Sequence, residues 1–151
     1  MNTYNHTQRG PVHLILYAIG LMFIALAWSQ ANLRSPLTAV VLLLLLAGLM
    51  IFLGLCFHHL TVRDEGVFLA VRYGPLPVFK YRITYESIVA VETAHSDLLD
   101  GLGIHYLPGR GWIFNLWGKD CVKLELRNKT VRIGSDDAKG LLLFLQNRIS
   151  S

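Results

Sequence analysis

No aspartate or glutamate occurs before Asp64, and between Gly10 and Phe57 the one charged side chain is Arg34. A soluble surface needs charge of both signs, so this part of the chain does not read as one. Cysteine is scarce as well. Cys56 and Cys121 form no C-x-x-C pair, which argues against a cysteine metal site and leaves two buried free thiols as the reading. The sequence has no P-loop, no nucleophile elbow and no H-E-x-x-H. Gly101-x-Gly103 lacks the third glycine and the following helix of a dinucleotide fingerprint. Glu86 and Glu92 make no credible acid–base pair, and His95, Asp97 and Asp100 read as a polar loop. His58 and His59 are adjacent, with no third ligand at a sensible spacing. The expectation is therefore no enzyme, no cofactor and no metal.

What is present is apolar. The chain has 151 residues, 53% of them hydrophobic, and a formal net charge of +4. The basic excess is small and scattered among acids, so nucleic acid is not an expected partner. Residues 39–57 read AVVLLLLLAGLMIFLGLCF without a charge. As a helix that run spans ~28 Å, about one hydrocarbon core. Residues 12–28 form a second apolar run, VHLILYAIGLMFIALAW, with Trp28 placed as an interfacial anchor. Arg9 alone is a weak n-region and no small-x-small site closes the run, so it reads as a retained span rather than a signal peptide. Residues 29–38 are a short polar connection broken by Pro36, which makes the two spans a helical hairpin with both ends on one side. Five leucines in a row suit lipid and protein equally, while Gly20, Ala47, Gly48 and Gly54 offer small surfaces for helix contact.

Positive charge sets the orientation. The connection carries Arg34 alone, whereas Arg9, Arg63, Arg72, Lys80 and Arg82 flank the spans. The positive-inside rule then puts both termini in the cytoplasm, with the protein in the inner membrane. Residues 1–11 read as a polar cytoplasmic tail.

From Leu60 the hydrophobic period becomes two. Strands over 60–62 and 67–73 flank the turn signal Asp64-Glu65-Gly66. Residues 80–84 alternate, with Tyr81 and Ile83 on one face and Lys80 and Arg82 on the other. Further strands are expected over 88–93, within 101–111, from Trp112 to Leu116, over 121–126 and over 130–133. A final helix is expected to be capped by Ser135, with Asp136 and Asp137 in its first turn and Leu141, Leu142, Leu145 and Ile149 as its apolar stripe. Residues 60–151 thus predict about seven antiparallel strands and a C-terminal capping helix.

Two spans followed by such a domain resemble the bacterial membrane-anchored pleckstrin-homology-like (PH-like) proteins. Gly109-Arg110-Gly111-Trp112-Ile113-Phe114-Asn115, then Val122-Lys123-Leu124-Glu125-Leu126, then Arg132-Ile133-Gly134-Ser135-Asp136-Asp137 carry the resemblance. It implies a membrane-anchored α+β protein, a two-helix transmembrane hairpin bearing a cytoplasmic PH-like β-barrel. The chain departs from lipid-binding PH domains in its reduced basic signature, Arg72, Lys80 and Arg82, and in a last helix without tryptophan.

Two surfaces are candidates. Arg72, Lys80 and Arg82 could contact anionic lipid headgroups or be an ordinary solvated face. Arg110, Trp112, Phe114, Asn115 and Trp117 could form a protein contact or a structural corner of a small barrel. The expected role is a non-catalytic interaction or scaffold module, an accessory subunit or assembly factor. Its partners would be membrane lipids and another membrane protein or a second copy. The alternative is an anionic-lipid sensor.

Overall fold

Two paired strands with a helical hairpin inserted between them begin the fold. The computed structural model describes residues 3–95 and 103–149. Strand β1, Asn5–Arg9, leads into α1, Val12–Asn32. After a tight connection α2, Leu37–Cys56, returns the chain to β2, His59–Asp64. β1 and β2 pair antiparallel, from Arg9 opposite His59 to Asn5 opposite Arg63. The polar tail expected over 1–11 is therefore corrected: residues 5–9 are an edge strand. Its anchors are specific. Gln8 is buried and its amide donates to the Trp117 carbonyl at 2.6 Å. The Tyr4 hydroxyl donates to Asp137 Oδ2 at 3.2 Å, and its ring stacks on Phe144.

The helices have 21 and 20 residues, each long and apolar enough to cross a membrane. Only 11% and 17% of their most apolar windows are buried, unlike the core helices of a soluble domain. Such a pair suits membrane association. Small residues set their contact. A Cβ on Gly54 would lie 2.3 Å from the Tyr17 ring, and one on Gly20 would lie 3.1 Å from Ile51. Gly48 faces open space instead. α1 runs past the expected end at Trp28, because backbone hydrogen bonding continues through Ser29, Gln30, Ala31 and Asn32 after the apolar run has stopped. Pro36 stands at the N-cap of α2.

Among the described residues nine strands form two sheets, which corrects the expected single barrel of about seven. The first sheet has the order β1-β2-β3-β4, with β3 at Phe68–Gly74 and β4 at Lys80–Thr84. The second has the order β5-β8-β9-β7-β6. Its strands are β5 Ile88–His95, β6 Gly103–Leu107, β7 Gly111–Asn115, β8 Asp120–Leu126 and β9 Lys129–Gly134. β7 and β9 run parallel, which corrects the all-antiparallel expectation. Gly111 makes that pairing possible. Its φ is +82°, and a Cβ there would sit 2.2 Å from the Thr130 carbonyl oxygen.

The sheets share one core. Leu60, Val62, Leu69, Val71, Tyr73 and Ile83 of the first meet Phe114, Val122, Leu124, Val131 and Ile133 of the second. Helix α3, Ala138–Ile149, adds Leu141 and Leu145, both fully buried. Each such leucine contributes about 1.5–3 kcal/mol by leaving water. The cap of α3 lies two residues beyond Ser135. Asp137 Oδ1 accepts from the Gly140 N–H at 3.1 Å, and Ser135 Oγ accepts from the Asp137 N–H at 3.1 Å.

Candidate functional site

Side chains alternate across a strand, so the register of the first sheet decides what its outer face carries. The row nearest the helices is Arg9, His59 and Gly74. Next come Thr7, Thr61, Arg72 and Lys80, with the two threonine hydroxyls 2.9 Å apart. Asn5, Arg63, Ala70 and Arg82 follow. Arg9, Arg63, Arg72, Lys80 and Arg82 thus share one face of four strands.

The sequence pointed to three of these five. Arg9 and Arg63 join them only through β1–β2 pairing across the whole helical hairpin, which local alternation does not reveal. Among the described residues one carboxylate answers them. Glu65 takes an ion pair from Arg72 and lies 3.9 Å from Arg82. The Arg82 guanidinium also sits 4.5 Å from the centre of the Phe68 ring. Ala70 points outward yet is 1% exposed, because long arginine stems flank it in register. The face therefore sets five cations among short polar and small side chains, Thr7, Thr61, Asn5 and Ala70.

A histidine chain lies at the junction with the helices. The rings of His13 and His58 are 4.2 Å apart, and His58 meets His59 edge-on at 5.8 Å. Burial, then His13 and Arg9, lowers the pKa of His58 below its usual 6.5; burial, then His58 and Arg9, lowers that of His59. The neighbour that sequence spacing could not supply is thus His13, from the other end of the hairpin. Among the described residues no three His, Cys, Asp or Glu side chains gather as a metal site. His95 lies 3.0 Å from Asp120, while Asp97 and Asp100 lie outside the described residues.

Residues 109–117 do not present one surface. Arg110 stands in the β6–β7 turn, where its N–H donates to the Leu107 carbonyl. Phe114 and Asn115 are buried, at 5% and 2% exposure. Trp117 packs over Gly10, where an added Cβ would lie 2.6 Å from its own Cβ. Trp112 stays 40% exposed beside Tyr106, with ring centroids 5.7 Å apart.

The two candidate sets meet at one place. A cavity of about 260 Å³ opens between the sheets, lined by Val71, Tyr73, Phe79, Tyr81, Ile104 and Phe114, with Trp112 and Lys80 beside them. Of its polar wall groups, the Tyr73 hydroxyl donates to the Gly103 carbonyl at 3.2 Å.

No protein-family model matches this chain, and no curated protein is significantly similar to it.

Proposed function

We propose that this chain is a bilayer-anchored, non-catalytic binding domain that reads anionic lipid headgroups with the outer face of its first sheet. The gathering of Arg9, Arg63, Arg72, Lys80 and Arg82 on that face, against Glu65 alone among the described residues, carries the reading. α1 and α2 are the transmembrane hairpin, and the positive-inside rule sets the sheets on the cytoplasmic side of the inner membrane. Successive residues on a strand rise ~3.3 Å, so outward-facing rows are spaced by about 7 Å. The Arg9 row then lies at headgroup level, and the Arg72–Lys80 row within about one Debye length, ~8 Å, of it. Each cation so placed contributes about 1 kcal/mol toward an anionic surface. The kinship with PH-like proteins belongs to the same proposal. Two sheets on one core with a helix after the last strand support it.

The test is the full-length protein in mild detergent, with retained phosphatidylglycerol and phosphatidylcholine counted by native mass spectrometry. Arg9→Gln with Arg72→Gln, one from each of the two rows nearest the bilayer, is expected to lower the phosphatidylglycerol preference about thirtyfold, from ~2 kcal/mol of lost attraction. An unchanged preference in a folded double variant would end the headgroup reading.

A second reading rests on Tyr106 and Trp112, 59% and 40% exposed on the β6–β7 hairpin. It makes the domain a scaffold or accessory subunit that holds another membrane protein or a second copy. Gentle extraction should then yield a stoichiometric companion that Trp112→Ala releases without unfolding the domain.

A further inference from the structure

The cavity between the sheets has no role in headgroup contact by the outer face. Its walls are chiefly aliphatic and aromatic; the Tyr73 hydroxyl is already bonded, and Tyr81 and Lys80 bring the other polar groups. A ligand there meets mostly apolar surface. It needs an apolar segment. The volume, about 260 Å³, exceeds the ~150 Å³ that holds a benzene molecule. It suits one stretch of hydrocarbon rather than a whole two-chain lipid.

Position narrows the source. Phe57 directly follows α2, stacks on Phe79 at 5.2 Å and meets the Tyr73 ring edge-on at 5.1 Å. Phe79 and Tyr73 are walls of the cavity. The cavity therefore stands one side-chain layer from the end of a membrane-long helix. Charge narrows the ligand further. Lys80 borders the cavity and is the register partner of Arg72 on the basic face. Lys129 Nζ lies 5.3 Å from the centre of the Tyr81 ring on another wall. An apolar slot flanked by lysines matches a molecule with a hydrocarbon tail and an anionic head.

We infer that this cavity holds the acyl chain of a single-chain anionic amphiphile, with its head at Lys80. The inference rests on the lipid reading above and adds a discrete, stoichiometric site to it. A buried chain also distinguishes the site from the face, which touches heads alone.

The probe is lysophosphatidylglycerol, with lysophosphatidylcholine as its uncharged-head comparison, added to the full-length protein in mild detergent. Native mass spectrometry counts what stays bound. The wild type is expected to keep one lysophosphatidylglycerol in preference to lysophosphatidylcholine. Ile104→Trp fills the cavity and is expected to abolish that retention. Val78, a further wall residue, is half-exposed and outside the buried core, so Val78→Trp is expected to obstruct the cavity and serves where Ile104→Trp fails to fold. Lys80→Gln is expected to weaken retention about fivefold. Retention unchanged by Val78→Trp, or equal for the two lysolipids, overturns the inference. The Arg9→Gln, Arg72→Gln variant separates the two readings. Loss of diacyl-lipid preference with lysolipid retention intact supports both. Retention lost in that variant while Val78→Trp has no effect leaves the face alone responsible and overturns the cavity site.

Discussion

The two sheets are built from the same kind of strand and share one core, yet their outer faces have opposite electrostatic designs. On the second sheet Lys123 Nζ lies 2.7 Å from both Glu92 and Glu125, and Arg132 stands opposite Lys123 in register. Two acids and two bases balance there. The hydrogen bond from Lys123 holds the Glu92 carboxyl below its usual range, as expected for a satisfied pair. On the first sheet, among the described residues, five cations face Glu65 alone. A face that neutralises itself has little to offer a charged partner. One that does not keeps its repulsion until an anion relieves it. The difference lies in charge placement, and the proposed headgroup reading rests on it.

The comparison can be broken from either side. The largest effect is expected at the structural seam of the second sheet. Gly111→Ala puts a methyl into the Thr130 carbonyl at a φ of +82°, and should cost about 3 kcal/mol or prevent folding. Thermal unfolding reads it. Next comes the strand that completes the first sheet. Gln8→Ala removes the buried amide that holds the Trp117 carbonyl and should cost about 1–3 kcal/mol. It should also weaken phosphatidylglycerol preference, because it loosens β1 and Arg9 with it.

A pH series probes the base of the same sheet. His58 and His59 have pKa values lowered below 6.5 in the folded chain. Below pH 6.5 the unfolded chain binds more protons, so stability contributed above that pH is lost as pH falls through the lowered values. The unfolding midpoint should hold between pH 8 and 7 and fall from about 6.5 downward. His58→Gln with His59→Gln should flatten that fall. The smallest effect is expected on the balanced face. Lys123→Gln leaves two exposed carboxylates in water and should change neither lipid retention nor the unfolding midpoint measurably. A lipid phenotype there would erase the distinction between the sheets.

Much of the chain was legible as sequence. The Asp64-Glu65-Gly66 turn joins β2 to β3, and the alternation over 80–84 is β4. Lys123 and Glu125 face outward from β8 as their spacing required, with Val122 and Leu124 fully buried. The apolar runs are helices, within a few residues of their expected ends. Three features were not legible, for separate reasons. β1 reads Asn-His-Thr-Gln-Arg, with no apolar alternation, because an edge strand held by Gln8 needs none. The parallel β7–β9 pair is invisible to any local pattern, since it depends on a glycine whose neighbour, Thr130, is distant in sequence. Of the candidate residues, Phe114 and Asn115 belong to the interior, and Trp117 to the seam with Gly10. Tryptophan and arginine types alone do not distinguish a contact surface from a corner. Lys80 and Arg82 do share a face, as their period-two spacing required, and the β3–β4 register brings Arg72 to it.

The pairing of β1 with β2 has a consequence in time. The ends of this strand pair are separated by the whole helical hairpin, and Thr7 touches Thr61 across 54 positions. During synthesis β1 emerges first and has no partner until both helices have left the ribosome. At ~5–20 residues per second that interval is about 3–10 s. In a bilayer-inserted chain the sheet can close only when both spans have crossed and brought Arg9 and His59 to the same side. A chain with one span stalled leaves β1 and β2 on opposite sides of the membrane, where they cannot meet. The basic face is therefore complete only on molecules in which both helices have been made and have brought Arg9 opposite His59.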